Sequence, residues 1–97
     1  MNTIRWGIIG AGFIADVVAA DFVHVPGAEL TAIAARDLGR AQQFAARHSI
    51  PRAYGTYRGL LEDDDIDVVY VATTHPQHRD VALAAIEAGK AVLVEKA

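Results

Sequence analysis

The stretch "TIRWGIIGAGFIADVV" (3–18) constrains this chain more than any other. A β-branched apolar run passes straight into Gly10-Ala11-Gly12-Phe13-Ile14-Ala15, and an apolar pattern at helical spacing follows. Glycines at this spacing, between a strand and a helix, predict a tight turn off the strand at Gly10. Gly12 leaves room for a ligand to approach the backbone, and small Ala15 lets helix and strand pack closely. The helix start then offers unpaired N–H groups and the positive end of its dipole, which suits a pyrophosphate. Alone, a G-x-G-x-x-A run is a weak signal. After a strand and at the head of a βαβ unit it reads as a dinucleotide-binding turn, with Gly10, Gly12, Phe13 and Ile14 against the cofactor. The alternative is a strand-to-helix turn without a ligand.

The rest of the chain repeats the alternation. "TIRWGII" (3–9) is the first strand. Ile14, Val17, Val18, Phe22 and Val25 mark a helix ended by Pro26-Gly27, and "ELTAIAA" (29–35) is the second strand. Asp37 caps a helix over "LGRAQQFAARH" with Leu38, Ala41 and Ala45 on one face, and "RAY" (52–54) is a minimal third strand. Thr56 opens a short helix, after which Asp63-Asp64-Asp65 reads as a solvated turn. "DVVYVAT" (67–73) is a continuous apolar strand, "QHRDVALAAIEAG" a helix stopped by Gly89, and "AVLVEK" the fifth strand. Short connections between alternating strands and helices imply a parallel sheet covered on both faces. The expected fold is a single α/β domain over 1–97 of the Rossmann type, doubly wound, in three αβα layers. Its strand order is 3-2-1-4-5, with a ligand crevice where the order reverses.

Composition agrees. The chain of 97 residues is 53% hydrophobic with few aromatics, as expected for strands buried on both faces. A domain of this length buries roughly 60–65% of its unfolded surface, enough for one core. Nine basic and twelve acidic residues give a charge of −3, which argues against nucleic-acid or anionic-membrane partners. Absence of cysteine excludes disulfides and thiolate metal sites, no metal centre is expected, and a reducing cytoplasm fits. No apolar run approaches the ~20 residues of a membrane span.

The end of the second strand bears on cofactor choice. An NAD site places a carboxylate there for the adenosine ribose hydroxyls. Here Arg36 follows the strand, Asp37 is engaged as a helix cap, and Arg40 lies one turn on. Two guanidiniums could grip a 2′-phosphate through charge-assisted bonds, so NADP(H) is favoured over NAD(H). The alternative leaves both arginines facing solvent.

Taken together, "GIIGAGFIA", "AARDLGRA", "VATTHPQH" and "AIEAGKAVLVEK" resemble the N-terminal domain of the Gfo/Idh/MocA oxidoreductases. The "AARD…RA" and "HPQH" stretches look closest to its dihydrodiol and xylose dehydrogenase branch, which is typically NADP-dependent. The resemblance covers essentially the whole chain. It implies that Thr73, Thr74 and His75 line the nicotinamide half of the cofactor, with His78 in the next helical turn. The sequence departs from the family's A-T-P-N-x-x-H at Thr74 and His75 and matches it at His78. By spacing alone His78 shares a stripe with Val81, Ala82 and Ala85, and a structural role is the alternative. The family's Glu-Lys-Pro appears as Glu95-Lys96-Ala97. The resemblance implies that Lys96 assists proton transfer at the reacting carbon and that Glu95 helps to place cofactor or lysine. It further implies a sugar, polyol or cyclic diol as substrate. A C-terminal substrate domain, not within these residues, would complete the pocket and pack on this one, and homo-oligomers are expected. A non-catalytic NAD(P)-binding sensor or partner subunit is the competing function, and a CoA- or mononucleotide-binding domain a third.

Overall fold

A computed structural model describes residues 3–10, 12–72 and 78–94, with Phe13, Val23 and His78 described by backbone alone. Five parallel strands, β1 (Ile4–Ile9), β2 (Ala28–Ala34), β3 (Arg52–Tyr54), β4 (Val68–Val71) and β5 (Ala91–Val94), form one sheet in the order β3-β2-β1-β4-β5. The order expected from the alternation is the observed one. The helices are α1 (Phe13–Asp21), α2 (Leu38–His48), α3 (Tyr57–Leu61) and α4 (His78–Glu87).

Side chains alternate across the sheet, and the core splits accordingly. Ile9, Ala32, Ala34, Val69 and Val71 pack with Leu60 and Leu61 of α3 and Val81 and Ala85 of α4. Ile8, Ile33 and Tyr70 pack on the other face with Ala15 and Ala19 of α1 and Phe44 and Ala45 of α2. Neighbouring residues on one strand therefore serve different layers, which explains the unbroken apolar runs of the inner strands.

The helix ends follow local chemistry. The Asp37 side chain accepts from the Gly39 N–H at 2.8 Å and the Thr56 hydroxyl from the Gly59 N–H at 3.1 Å, so both expected N-caps form. At the end of α4, Gly89 has φ +82°, its N–H reaches the Ile86 carbonyl at 2.9 Å, and the Lys90 N–H reaches Ala85 at 3.1 Å. This paired 5→2 and 6→1 closure is the Schellman arrangement, and it needs the left-handed conformation that glycine adopts without strain.

Three expectations are corrected. The first helix stops at Asp21 and runs into a short 3₁₀ turn, Phe22–His24, rather than continuing to Val25. Its buried face is Ala15 and Ala19, while Ile14 and Val17 are 43% and 46% exposed. The helix lies close to the sheet, where only a methyl group fits, and the branched side chains go to its flanks. In α2, Leu38 is 48% exposed, and Phe44 fills the core with Ala41 and Ala45.

The acidic run is not simply a solvated turn. The Asp63 side chain is only 8% exposed. It receives both Arg52 Nη1 contacts, at 2.9 and 2.7 Å, the Tyr54 hydroxyl at 2.7 Å and the Asp65 N–H at 3.0 Å. Burial pushes its pKa up, but the bonds from Tyr54, Arg52 and the Asp65 amide outweigh it and lower the value to about 2. Beneath it, the buried Lys90 donates through Nζ to the carbonyls of Asp63 (2.7 Å) and Ile66 (2.9 Å). One acid and one base thus tie the α3–β4 connection to β3 and to the start of β5.

Since folding lowers the Asp63 pKa, its contribution is complete above the unfolded value near 4 and is lost as pH falls towards about 2. Urea titrations should show roughly 1–2 kcal/mol lost across that window on its account. Asp63→Asn should flatten that part of the acid dependence and cost about 1–3 kcal/mol at neutral pH. An unchanged acid limb in the variant would remove Asp63 from this role.

Candidate functional site

The sheet order reverses beside β1, and there its C-terminal end meets that of β4. The Ala72 N–H bonds to the Ile9 carbonyl at 2.8 Å, closing the two strand ends together. On the other side of β1, the Gly10 N–H bonds to the Ala34 carbonyl of β2 at 2.8 Å. Gly10 is buried with φ +107°, a conformation that side-chain-bearing residues rarely adopt, so the turn itself demands glycine.

Gly12 is the N-cap of α1, and a different reason is needed for it. Its φ is −91°, which any residue tolerates, and a Cβ built there would meet nothing within 4 Å. Neither backbone strain nor packing among the described residues asks for glycine. The missing side chain leaves open space at the helix start, the space a pyrophosphate would use. α1 also has no side-chain cap, whereas Asp37 and Thr56 cap α2 and α3. Its first-turn N–H groups therefore lack an intrahelical partner at the C-terminal edge of the sheet, where an anion can take them up. These observations fit a dinucleotide phosphate at the turn. Ile14 is placed in the first turn of α1 and is 43% exposed, and Phe13 begins the helix.

A second recess opens along the same edge. Arg36, following β2, lines a cavity of about 330 Å³ with Gly55, Thr56 and Tyr57 after β3 and Asp80 and Val81 of α4. Arg36 and Arg40 are both exposed, and the Asp37 carboxylate between them is engaged at the α2 cap. The start of α2 is held close, since a Cβ on Gly55 would come within 2.9 Å of Leu38 Cβ. Thr56, Tyr57, Asp80 and Val81 were not singled out as binding residues by sequence reasoning. The signal that locates them is positional: each lies at the cap or in the first turn of the helix that follows β3 or β4, the side on which ligands of such sheets bind.

Asp16, in the first turn of α1, meets two side chains from the last turn of α2. His48 Nε2 lies 2.8 Å and Arg47 Nη2 2.9 Å from Asp16 Oδ1. The His48 bond first, and then Arg47, hold the Asp16 carboxyl below its ordinary pKa. Phe44, fully buried, backs both partners: its ring centroid is 4.6 Å from that of His48 and 5.3 Å from Arg47 Cζ.

Thr73, Thr74, His75, Glu95 and Lys96 lie outside the described residues, as does the His78 side chain. The described backbone carries β4 to Ala72 and β5 to Val94, and His78 is the first residue of α4. Among the described residues no group of three or more potential metal ligands gathers, and no helix is long and apolar enough to cross a membrane.

Comparison with known proteins agrees with this geometry. A trans-1,2-dihydrobenzene-1,2-diol dehydrogenase from Mus musculus is 47% identical over 95 residues, covering 96% of this chain and 28% of its own length. The enzyme of that name from Xenopus tropicalis is 49% identical over 94 residues, 95% of this chain and 28% of its own. The chain thus spans less than a third of the curated relatives it matches. Among solved structures, a 3-ketoreductase from Actinomadura kijaniata in complex with NADP superposes with a TM-score of 0.93 at 40% identity, over 98% of this chain and 30% of that one. A levoglucosan dehydrogenase in complex with NADH and L-sorbose superposes with a TM-score of 0.87 at 30% identity, over 99% of this chain and 28% of that one. The family model GFO_IDH_MocA, described as an oxidoreductase family with an NAD-binding Rossmann fold, matches residues 4–96, and the chain belongs to that family.

Proposed function

We propose that this chain is the NADP(H)-binding domain of an oxidoreductase that acts on a cyclic diol, a sugar or a polyol. The observation that carries the proposal is the open, uncapped start of α1 at Gly12, beside the reversal of strand order. The first N–H groups of α1 beyond Gly12 would donate to the diphosphate. Arg36 and Tyr57, which line the recess beyond β2 and β3, would hold the adenosine end. Preference for NADP(H) rests on Arg36 and Arg40, with the Asp37 carboxylate turned to its helix cap. A trans-dihydrodiol is the first substrate to test, given the names of the relatives matched.

When bound, the nicotinamide supplies the hydride acceptor or donor. The residues of this chain do the remainder. Thr73, Thr74 and His75 line the nicotinamide half, with His78 at the start of α4. Lys96 holds a proton at the substrate oxygen and Glu95 keeps the lysine or cofactor in place. A second domain, which the greater length of the relatives can accommodate, would complete the substrate pocket. The outer strand β5 exposes Leu93 and Val94, and α4 exposes Leu83 and Ile86, which supports a covering partner along this edge or an oligomer contact.

Three measurements test the reading. Gly12→Ala should leave the melting temperature nearly unchanged, since no described atom meets the new methyl, yet weaken dinucleotide binding. Equal loss of stability and binding would show that the glycine serves the fold alone. Titration with NADPH and NADH should show tighter NADPH binding, and Arg36→Ala should weaken it by about 1–3 kcal/mol, with little effect on NADH. Equal affinities that the substitution leaves alone would reverse the NADP assignment. In the whole protein, NADP-linked oxidation of a trans-dihydrodiol or an aldose should fall roughly 10²–10⁴-fold in Lys96→Ala with cofactor affinity retained. Dinucleotide binding without turnover on any diol, sugar or polyol would favour the non-catalytic sensor or partner-subunit reading.

A further inference from the structure

Asp16 stands in an electrostatically awkward place. Its own N–H closes the first turn of α1 on the Gly12 carbonyl at 3.1 Å, so it stands in the turn that begins the helix. A negative charge there favours the helix dipole but opposes an anion that binds the same N-terminus. The structure supplies the remedy from the neighbouring helix. Arg47 and His48 both converge on Asp16 Oδ1, and the buried ring of Phe44 backs the guanidinium and the imidazole. Both come from the last turn of α2, where the negative end of that helix favours positive charge.

We propose that Arg47 is a positioning residue of the dinucleotide site: by neutralising Asp16, to which His48 also bonds, it keeps the α1 N-terminus attractive to the diphosphate. The inference rests on the dinucleotide reading given above. The Arg47 guanidinium cancels the Asp16 charge, and the His48 ring bonds to the same carboxylate oxygen.

Among the described residues, the ionisable groups that face the His48 ring are Asp16 from α1 and Arg47 from α2 itself. Of the strands packed on α2, β2 carries Glu29 near its N-terminal end, and β3 carries Arg52 and Tyr54, both engaged by Asp63. The charge balance at Asp16 is therefore assigned to the α1–α2 contact.

A mere clamp between two helices predicts a different pattern. Breaking a clamp lowers stability and can only weaken binding, whichever residue is removed. The charge argument predicts opposite signs. Arg47→Gln should weaken NADPH binding about two- to fivefold near pH 8, and Arg47→Lys should restore most of it. Asp16→Asn weakens the same contact by removing its negative charge, yet should tighten binding by a similar factor. Raising salt should shrink all these effects.

The experiment is NADPH fluorescence titration of the full chain, with melting temperatures recorded alongside. Tightening in Asp16→Asn despite a lower melting temperature, with weakening in Arg47→Gln, bears the proposal out. Weakening in Asp16→Asn overturns it and leaves the contact structural. Failure of the wild type to bind any dinucleotide overturns the cofactor reading itself, and this inference with it.

Discussion

The turn at Gly10 sets the geometry on which the rest of the site depends. One residue with positive φ takes the chain off β1, and its N–H is secured to Ala34 on the neighbouring strand. The chain is thereby redirected into α1 at the reversal of strand order, and the helix begins at the C-terminal edge rather than over the middle of the sheet. A side chain at Gly10 would strain this step whatever space surrounded it. Gly12, two residues later, is under no such demand from the protein. Two glycines of one motif thus differ: the turn demands the first, while nothing among the described residues demands the second.

Much of the architecture was legible because the patterns have single physical meanings. Unbroken apolar runs of four to seven residues, separated by cap and stop residues, admit few solutions other than a parallel sheet covered twice. Asp37, Thr56 and Gly89 act at the helix ends where their chemistry placed them. Failures arose where a pattern has two meanings. Ile14 and Val17 sit at helical spacing, but spacing says nothing of how far a helix stands from its sheet, and alanines took the inner face. Three consecutive aspartates ordinarily face water. Nothing local announces that Arg52 and Tyr54, about ten residues earlier, will reach back to Asp63.

Within the candidate site, legibility divided along the same line. The glycine turn and the arginine after β2 are contiguous in sequence and could be read there. The recess beside Arg36 draws on the starts of α3 and α4, which come together only through the sheet. The Asp16 contact with Arg47 and His48 spans more than thirty positions and depends on how α1 and α2 lie side by side. Lys90 is a further case. Its position at the head of the fifth strand suggests a surface residue, yet it satisfies two carbonyls of the α3–β4 connection from below.

The alanine contact between α1 and the sheet has a consequence for how substitutions there should be interpreted. Ala15 and Ala19 are buried against Ile8 and Ile33, and their methyl groups act as the spacer that fixes the elevation of the helix above the strands. Since the N–H groups at its start are rigidly attached to the same rod, a larger side chain at Ala15 lifts or tilts the whole helix start. A ligand would then be lost without any of its contacts having been altered. Affinity at this position reports a thickness, in the manner of a shim beneath a bearing.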